Sequence, residues 1–351
     1  MKISIYPYNS DTNKYIELIK KSISSLGIEL NSFDTVWNDK EFFKDTEYFI
    51  FNWYESLYTN SLIKQFYIFI KKYIKLLILK NQKKKIIWVL HNAIPHDSKH
   101  RIFSLILMKY LAKNSYNIII HSNESKNVLA DIVNYNIIKN KVTYIPHPNY
   151  IGVYEEVNIK RNLEKKLNLL FIGAIKPYKN VDLLIEVFNE LKLNDMTLTL
   201  AGKIINEEYE DYINNLINNN SNIICDFRFI EDNEIQGLIQ KSDILVLPYD
   251  ITSSLNSGTI ILAFSNKRTV LSPNIGTLKD FKQNDMFFSY EYQNIDSHKA
   301  ILKSNIKKVY EIYMKDKNKI KSMGEKCYET VKTNNSTEKI SLIFKDMLIN
   351  D

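Results

Sequence analysis

Residues 241–264 read KSDILVLPYDITSSLNSGTIILAF, and their interpretation decides the fold. The apolar run from Asp243 to Pro248, closed by a proline, has the character of an interior strand of a parallel sheet. A loop of small hydroxylated residues follows. A helix is expected to begin near Ser257-Gly258-Thr259, because Ser and Thr are preferred at helix starts. Such a helix begins at the carboxyl end of the strand, where its first unpaired N–H groups and its dipole favour an anion. Gly258 lets a ligand approach the backbone closely, and Ser253, Ser254, Ser257 and Thr259 add hydroxyls. Two interpretations stand side by side here: a pocket for a diphosphate, or an ordinary strand-to-helix connection with a serine cap.

The same strand-then-helix rhythm runs outward in both directions. Lys2–Tyr6 reads as a strand and 11–26 as a helix closing at Gly27; Tyr48–Phe51, Ile86–Leu90, Asn117–His121 and Lys141–Ile145 read as further strands. Pro146-His147-Pro148 stops regular structure, and the polar 151–166 reads as a linker. The rhythm restarts with strands at Leu167–Ile172, Thr197–Ala201, Ile223–Phe227 and Thr269–Ser272. The expectation is α/β throughout: two doubly wound parallel-sheet domains, 1–150 and 167–335, facing a central cleft. A length of 351 residues exceeds what one core usually serves, which also points to two domains.

Composition narrows the function classes. The chain is 45% hydrophobic and 25% charged, with 23 Tyr and 17 Phe, as expected of a globular protein. Cys225 and Cys327 are the only cysteines and have no paired spacing, which fits a reducing cytoplasm and argues against a thiolate metal site. No apolar run approaches the roughly 20 residues of a spanning helix, and Met1 opens directly onto a strand pattern, so no signal peptide is expected. The net charge of +7 permits an anionic partner without choosing one. The lysines are spread out and no nucleic-acid motif occurs, so no nucleic acid is expected as partner.

The segment 61–85, SLIKQFYIFIKKYIKLLILKNQKKK, gathers Lys64, Gln65, Lys71, Lys72 and Lys75 on one side of a helix and leaves a broad apolar remainder with Phe66, Phe69 and Tyr73. That pattern suits the surface of an anionic membrane, and equally a core helix with one solvated edge. The strand 86–90 delivers His91-Asn92-Ala93-Ile94-Pro95-His96-Asp97 at its carboxyl end, where open parallel sheets bind ligands. His91, His96 and Asp97 are therefore candidate catalytic groups, with His titrating near neutrality as a base for a hydroxyl. No metal is expected, because no third ligand has the spacing. Lys179 and Lys203 each follow a strand of the second sheet and lie on the same rim as Ser257. One or two lysines plus a helix start is the set that neutralises a diphosphate, each charged hydrogen bond contributing ~1.5–3 kcal/mol.

The second half resembles the donor domain of glycosyltransferases of the GT-B fold, most closely family 4 (group 1). The matching blocks are FIGAIKPYKNVDLLIEVF at 171–188, LTLAGK at 198–203, FIEDNEIQGLIQKSDILVLPY at 229–249 and the Ser-Gly helix start at 257–258. The first half is similar more loosely, through WVLHNAIPHD at 88–97, His121-Ser122 and YIPHPNY at 144–150. The resemblance implies two Rossmann-like domains and a C-terminal helix, 336–351, packed back on the first. It implies that Lys179 contacts the donor diphosphate, that Ser257, Gly258 and Thr259 bind it, and that Arg228, Phe229 and Ile230 hold the base through backbone contacts. His91 matches the family's histidine near the sugar. Two positions depart from the pattern. The arginine usual beside the loop glycine is Ala174, and the acidic pair with seven residues between its members falls on Ser254 and Leu262.

The expected activity is metal-independent transfer of a sugar from a UDP- or GDP-sugar to a hydroxyl of a glycan acceptor. The acceptor is expected to be lipid-linked, in surface polysaccharide assembly, at the cytoplasmic face of a membrane. No cofactor is expected beyond the nucleoside diphosphate sugar, which is the donor substrate. Two alternatives stand beside it: an epimerase acting on UDP-sugars with the same architecture, and a non-catalytic sugar-nucleotide-binding protein.

Overall fold

The fold is taken from a computed structural model, which describes residues 1–10, 13–57, 59, 61–93, 101–155, 166–281 and 285–349. Two compact units divide the chain. The first comprises 1–148, 252–256 and 335–351; the second comprises 149–251 and 257–334.

In the first unit the strands are β1 (Lys2–Tyr6), β2 (Glu29–Ser32), β3 (Thr46–Asn52), β4 (Lys85–Leu90), β5 (Asn117–Ile120) and β6 (Val142–Tyr144). They form one parallel sheet in the order β2-β1-β3-β4-β5-β6. Both faces of the sheet are apolar, as a parallel sheet covered on two sides requires. Register places Ile50 beside Ile5 and Ile87, and these join Ile3, Val89 and Ile119 under one layer of helices. The alternate residues Phe49, Phe51, Trp88, Leu90 and Ile120 fill the other layer. The C-terminal helix Thr337–Ile349 belongs to this unit: Ile340, Phe344 and Met347 share the core of the helix Tyr15–Ser24, and Ser341 Oγ lies 2.9 Å from Ser25 Oγ.

The second unit contains β7 (Leu167–Ile172), β8 (Met196–Ala201), β9 (Ile223–Asp226), β10 (Ile244–Val246), β11 (Thr269–Pro273) and β12 (Phe288–Tyr290), parallel and ordered β12-β11-β10-β7-β8-β9. The two central strands, β10 and β7, are almost entirely buried, which is why the sequence there is a continuous apolar run. The doubly wound parallel architecture expected from the strand-helix rhythm is the one observed.

Two expectations are corrected in detail. Two edge strands were not expected: β2 (ELNS) is polar and gives no apolar run to read, and β12 is only three residues long, although Phe288 and Tyr290 are buried. The basic side of the helix Leu62–Asn81 faces outward only in part: Lys64 and Lys71 are exposed, but its far edge is buried. Gln65 is fully buried and donates to the Thr59 carbonyl, and Lys72 turns inward to donate to the Tyr54 and Ser56 carbonyls at 2.8 and 2.9 Å. The face left exposed carries Leu62, Ile63, Phe66, Tyr67, Ile74, Leu77 and Ile78.

Candidate functional site

In the second unit, β7 and β8 end in glycines that touch. Gly202 (φ +142°) approaches Gly173 (φ +126°) so closely that a Cβ on Gly202 would lie 2.1 Å from the Gly173 carbonyl oxygen. Only glycine tolerates both the backbone angle and the contact. The chain beyond Gly173 makes a 3-10 turn, Pro177–Lys179, and passes through the left-handed Asn180, whose Nδ2 donates to the Pro248 carbonyl at 2.9 Å. That anchor holds Lys179 back over the sheet end. A Cβ placed on Gly173 would be 3.3 Å from Lys179 Nζ and 3.8 Å from Thr259 Oγ1, so the ammonium and that hydroxyl flank one small space.

Lys179 Nζ also sits 5.8 Å from the centre of the Phe171 ring and 5.6 Å from that of Tyr249. Loss of water around the ammonium, with a smaller contribution from Lys176, lowers its pKa to about 8. Lys179 remains mostly protonated at neutral pH. Among the described residues no carboxylate pairs with it.

The helix Gly258–Ser265 starts where the sequence places it, and Ser257 caps it: Oγ accepts from the Ile260 amide at 3.3 Å. The Ser257 amide is already committed, donating to Thr277 Oγ1 at 2.9 Å. The Gly258 and Thr259 amides form no hydrogen bond among the described residues, as expected of the first turn. The Ser257 hydroxyl lies 3.4 Å from Tyr249 Oη, which is buried and held protonated by desolvation. The site therefore offers one desolvated ammonium and two unpaired amides at a helix start, beside the Thr259 hydroxyl, which hydrogen-bonds Tyr249; none of these groups is acidic. An anion with several oxygens fits that set.

The remaining candidates are spread out. Lys203 follows Gly202 with an exposed side chain and no ion pair among the described residues. Arg228 is taken up by a bidentate pair with Glu234 at 2.7 and 2.6 Å and by Asp226 at 3.0 Å, so its charge is already neutralised. The Arg228 guanidinium holds the Glu234 carboxyl down at about 2. Phe229 is partly exposed and its carbonyl accepts from Arg228, while Ile230 is buried. Ala174 is exposed, and Ser254 and Leu262 are buried without charge.

In the first unit, His91 lies just past β4 and is 7% exposed. Its Nε2 is 3.0 Å from Asn52 Oδ1. The Trp53 indole stacks on the ring at 4.0 Å and 19°, and Tyr15 meets it edge-on at 4.9 Å. His121 accepts from Tyr15 Oη at Nε2 (2.8 Å) and donates from Nδ1 to the Ile145 carbonyl (2.8 Å). His147 donates from Nδ1 to the Pro148 carbonyl at 2.9 Å, and its ring is 5.8 Å from that of His121. The segment 252–256 belongs to this unit, where Asn256 Nδ2 donates to the His91 carbonyl at 3.0 Å.

This cluster corrects the expectation that His91 titrates near neutrality. Burial, and then the neighbouring His121 and His147, push its pKa well below the ordinary range. His121 falls to about 3 and His147 to about 4, each chiefly through burial. His91 is a neutral ring at physiological pH. His96 and Asp97 lie outside the described residues. Among the described residues no group of three or more His, Cys, Asp or Glu is arranged to hold a metal ion. Sequence reasoning missed Asn52, Tyr15, Tyr249 and Thr277; the visible signal was a polar Asn closing the apolar strand TEYFIFN.

Comparison with known proteins bears on the fold and on part of the second unit. Residues 154–251 match the family model described as Glycosyl transferases group 1. A GDP-mannose:glycolipid 4-beta-D-mannosyltransferase of Xanthomonas campestris pv. campestris is 28% identical over 105 residues, a match that spans 30% of this chain and 30% of that relative. Among solved structures, Anabaena Alr3699/HepE in complex with UDP and glucose aligns over 100% of both chains with a TM-score of 0.73 and 11% identity. A glycosyltransferase from Rickettsia africae aligns over 100% of this chain and 99% of its own, with a TM-score of 0.68 and 17% identity. Sucrose-phosphate synthase from Thermosynechococcus elongatus aligns over 99% and 98%, with a TM-score of 0.72 and 11% identity.

The histidine cluster gives a stability prediction. The folded pKa values lie below the unfolded value of 6.5, so folding selects the neutral rings; their stabilisation is complete above pH 6.5 and is lost as pH falls below it. Each such histidine contributes a slope of about 1.4 kcal/mol per pH unit in that window. Urea unfolding between pH 6 and 5 is expected to show a falling free energy, and His147→Gln to reduce that slope by one histidine's share. An unchanged slope contradicts the assignment. Residues 154–251 thus match the group 1 glycosyl transferase model, and the two parallel-sheet α/β units of the chain have the fold of the GT-B structures they align with.

Proposed function

We propose that the protein transfers a sugar from a nucleoside diphosphate sugar to a hydroxyl of a glycan acceptor carried on a lipid. The observation that supports this most is the convergence of the desolvated Lys179 ammonium with the unpaired amides of Gly258 and Thr259. In the reaction the bond between the sugar's anomeric carbon and the β-phosphate oxygen breaks, and the electron pair leaves with the nucleoside diphosphate. The acceptor oxygen bonds to the anomeric carbon and gives up its proton. The chief demand is stabilisation of the leaving diphosphate, which preorganised donors supply without moving. Lys179, Gly258, Thr259 and the Thr259 hydroxyl are assigned that role, with Lys203 at the margin and with Phe229 and Ile230 beside the base. His91, His96 and Asp97 are assigned to the acceptor side, His91 as a neutral hydrogen-bonding ring.

Both UDP and GDP belong in the test, since the Anabaena structure holds UDP and the Xanthomonas relative is named for GDP-mannose. Thermal shift with either nucleotide reads binding directly, because a ligand of the folded form raises the melting temperature. Wild-type protein is expected to be stabilised by one of the two, and Lys179→Met to weaken that affinity by about 10- to 100-fold, the equivalent of one charged hydrogen bond. Affinity is also expected to fall as pH rises through 8 in the wild type only. No shift with either nucleotide, or an unaffected Lys179→Met, overturns the reading. A sugar-nucleotide-binding protein without turnover is the second reading, favoured by uncharged Ser254 and Leu262 where the family has its acidic pair. Transfer from UDP-glucose or GDP-mannose to a lipid-linked acceptor separates the two.

Contact with an anionic membrane is part of the proposal. No helix among the described residues is long and apolar enough to cross a bilayer. The helix Leu62–Asn81 nonetheless exposes an unbroken apolar face, with Ile63 82% and Phe66 51% exposed, and Ile102 on the adjoining helix extends it. Lys64 and Lys71 flank that face, and the sequence has no acidic residue between Glu55 and Asp97; Lys75, beside them, is paired with Asp34. An apolar face with a one-signed basic border suits a bilayer interface carrying anionic lipid, where each lysine contributes about 1 kcal/mol. The protein is expected to sediment with vesicles containing phosphatidylglycerol more than with phosphatidylcholine alone. The paired change Ile63→Asp and Phe66→Asp is expected to weaken that binding at least tenfold. Equal sedimentation of wild type and variant contradicts it.

A further inference from the structure

Asn52 closes β3 and is fully buried. Its Nδ2 donates to the Tyr6 carbonyl at the end of β1 (3.3 Å), and its Oδ1 faces His91 Nε2 just past β4 (3.0 Å). One amide thus straps the ends of three neighbouring strands. A backbone carbonyl can only accept, so the Asn52 nitrogen must point to Tyr6 and its oxygen to His91. An amide oxygen can also only accept, so His91 Nε2 carries the hydrogen. In the neutral ring, Nδ1 is then the lone pair.

The ring is held against turning over. Trp53 stacks on one face, Tyr15 meets it edge-on, and the Asn256 amide fixes the His91 backbone. Trp53 itself has φ +50°, a left-handed conformation uncommon for so bulky a residue, and it holds that conformation while stacked on the imidazole.

We propose that Asn52 is a positioning residue that fixes His91 as its Nε2–H tautomer, so that His91 meets its ligand through Nδ1 as an acceptor for a hydroxyl. The chemistry this selects is a polyol, such as a sugar bearing a free ring hydroxyl. It rules His91 out as proton donor to the departing phosphate oxygen. The catalytic side of the proposal rests on the glycosyl-transfer reading; the tautomer does not.

Long-range 1H–15N correlation on protein labelled with 15N-histidine reads the tautomer directly, with His91→Gln identifying the signals. Wild-type His91 is expected to show a pyridine-type Nδ1 and a pyrrole-type Nε2 at pH 7.5, and Asn52→Leu to give the averaged shifts of two exchanging tautomers. Asn52→Asp keeps an acceptor beside Nε2 and its carboxylate favours the imidazolium. That variant is expected to retain Nε2–H and to move the acid limb of kcat/KM upward by about one pH unit. A pyrrole-type Nδ1 in the wild type overturns the proposal, as does an Asn52→Leu spectrum identical to wild type. If Asn52→Leu does not fold, the spectrum and pH profile of Asn52→Asp decide it alone. The expected spectra with no detectable sugar transfer support the tautomer assignment and count against the glycosyl-transfer reading.

Discussion

An ammonium ion kept out of water, with no carboxylate beside it among the described residues, lies at the origin of the proposed chemistry. Lys179 is in that position: burial lowers its pKa to about 8, and the nearest contributing charge is another lysine, Lys176. Within the same small space stand the Thr259 hydroxyl and the start of a helix whose first two amides have no partner. The ammonium and the amides present positive charge or a hydrogen, and with little water to screen them such groups repel one another, while the Thr259 hydroxyl is held by Tyr249. A diphosphate relieves each of these costs at once. The glycine pair at 173 and 202 is what permits the arrangement, since a single Cβ on Gly202 would drive into the Gly173 carbonyl and move the loop that carries the lysine.

The first unit solves the opposite problem. Around Tyr15 it collects three imidazole rings and keeps them neutral by excluding water and by giving each a partner of fixed polarity: an amide oxygen for His91, the Ile145 carbonyl for His121 and the Pro148 carbonyl for His147. Carbonyl groups cannot donate, so each constrains which nitrogen carries the proton. The order of the sheet makes the strap possible, because β1, β3 and β4 are neighbours and Asn52 reaches both flanking strands.

Much of this was legible in the sequence, for identifiable reasons. Interior strands show as apolar runs because both faces of each sheet are covered, and Ser257 shows as a cap because the helix start needs an oxygen for the Ile260 amide. The turn holding Lys179 is readable in Pro177, Tyr178 and Asn180, but the desolvation that matters comes from Phe171 and Tyr249, the latter 70 positions away. The helix Leu62–Asn81 shows the limit of a local pattern. Its lysines look outward on a wheel, yet the Tyr54 and Ser56 carbonyls draw Lys72 inward and leave the apolar side facing out. The roles of Asn52 and Tyr15 could not be assigned, because their partners lie 39 and 106 residues away, although a polar Asn closing an apolar strand marked the first as unusual. Edge strand β2 was silent because its residues, ELNS, are polar, and β12 because three residues are too short a run to single out.

The central claim is that Lys179 is a desolvated cation waiting for a phosphate, and its own titration is the direct test. In protein labelled with 13C-lysine, with Lys179→Met used for assignment, the Lys179 Cε signal is expected to titrate near pH 8 without ligand. Saturation with UDP or GDP is expected to move that midpoint upward, because an adjacent anion favours the charged form. A midpoint at the ordinary lysine value of about 10.4, unmoved by either nucleotide, contradicts the account.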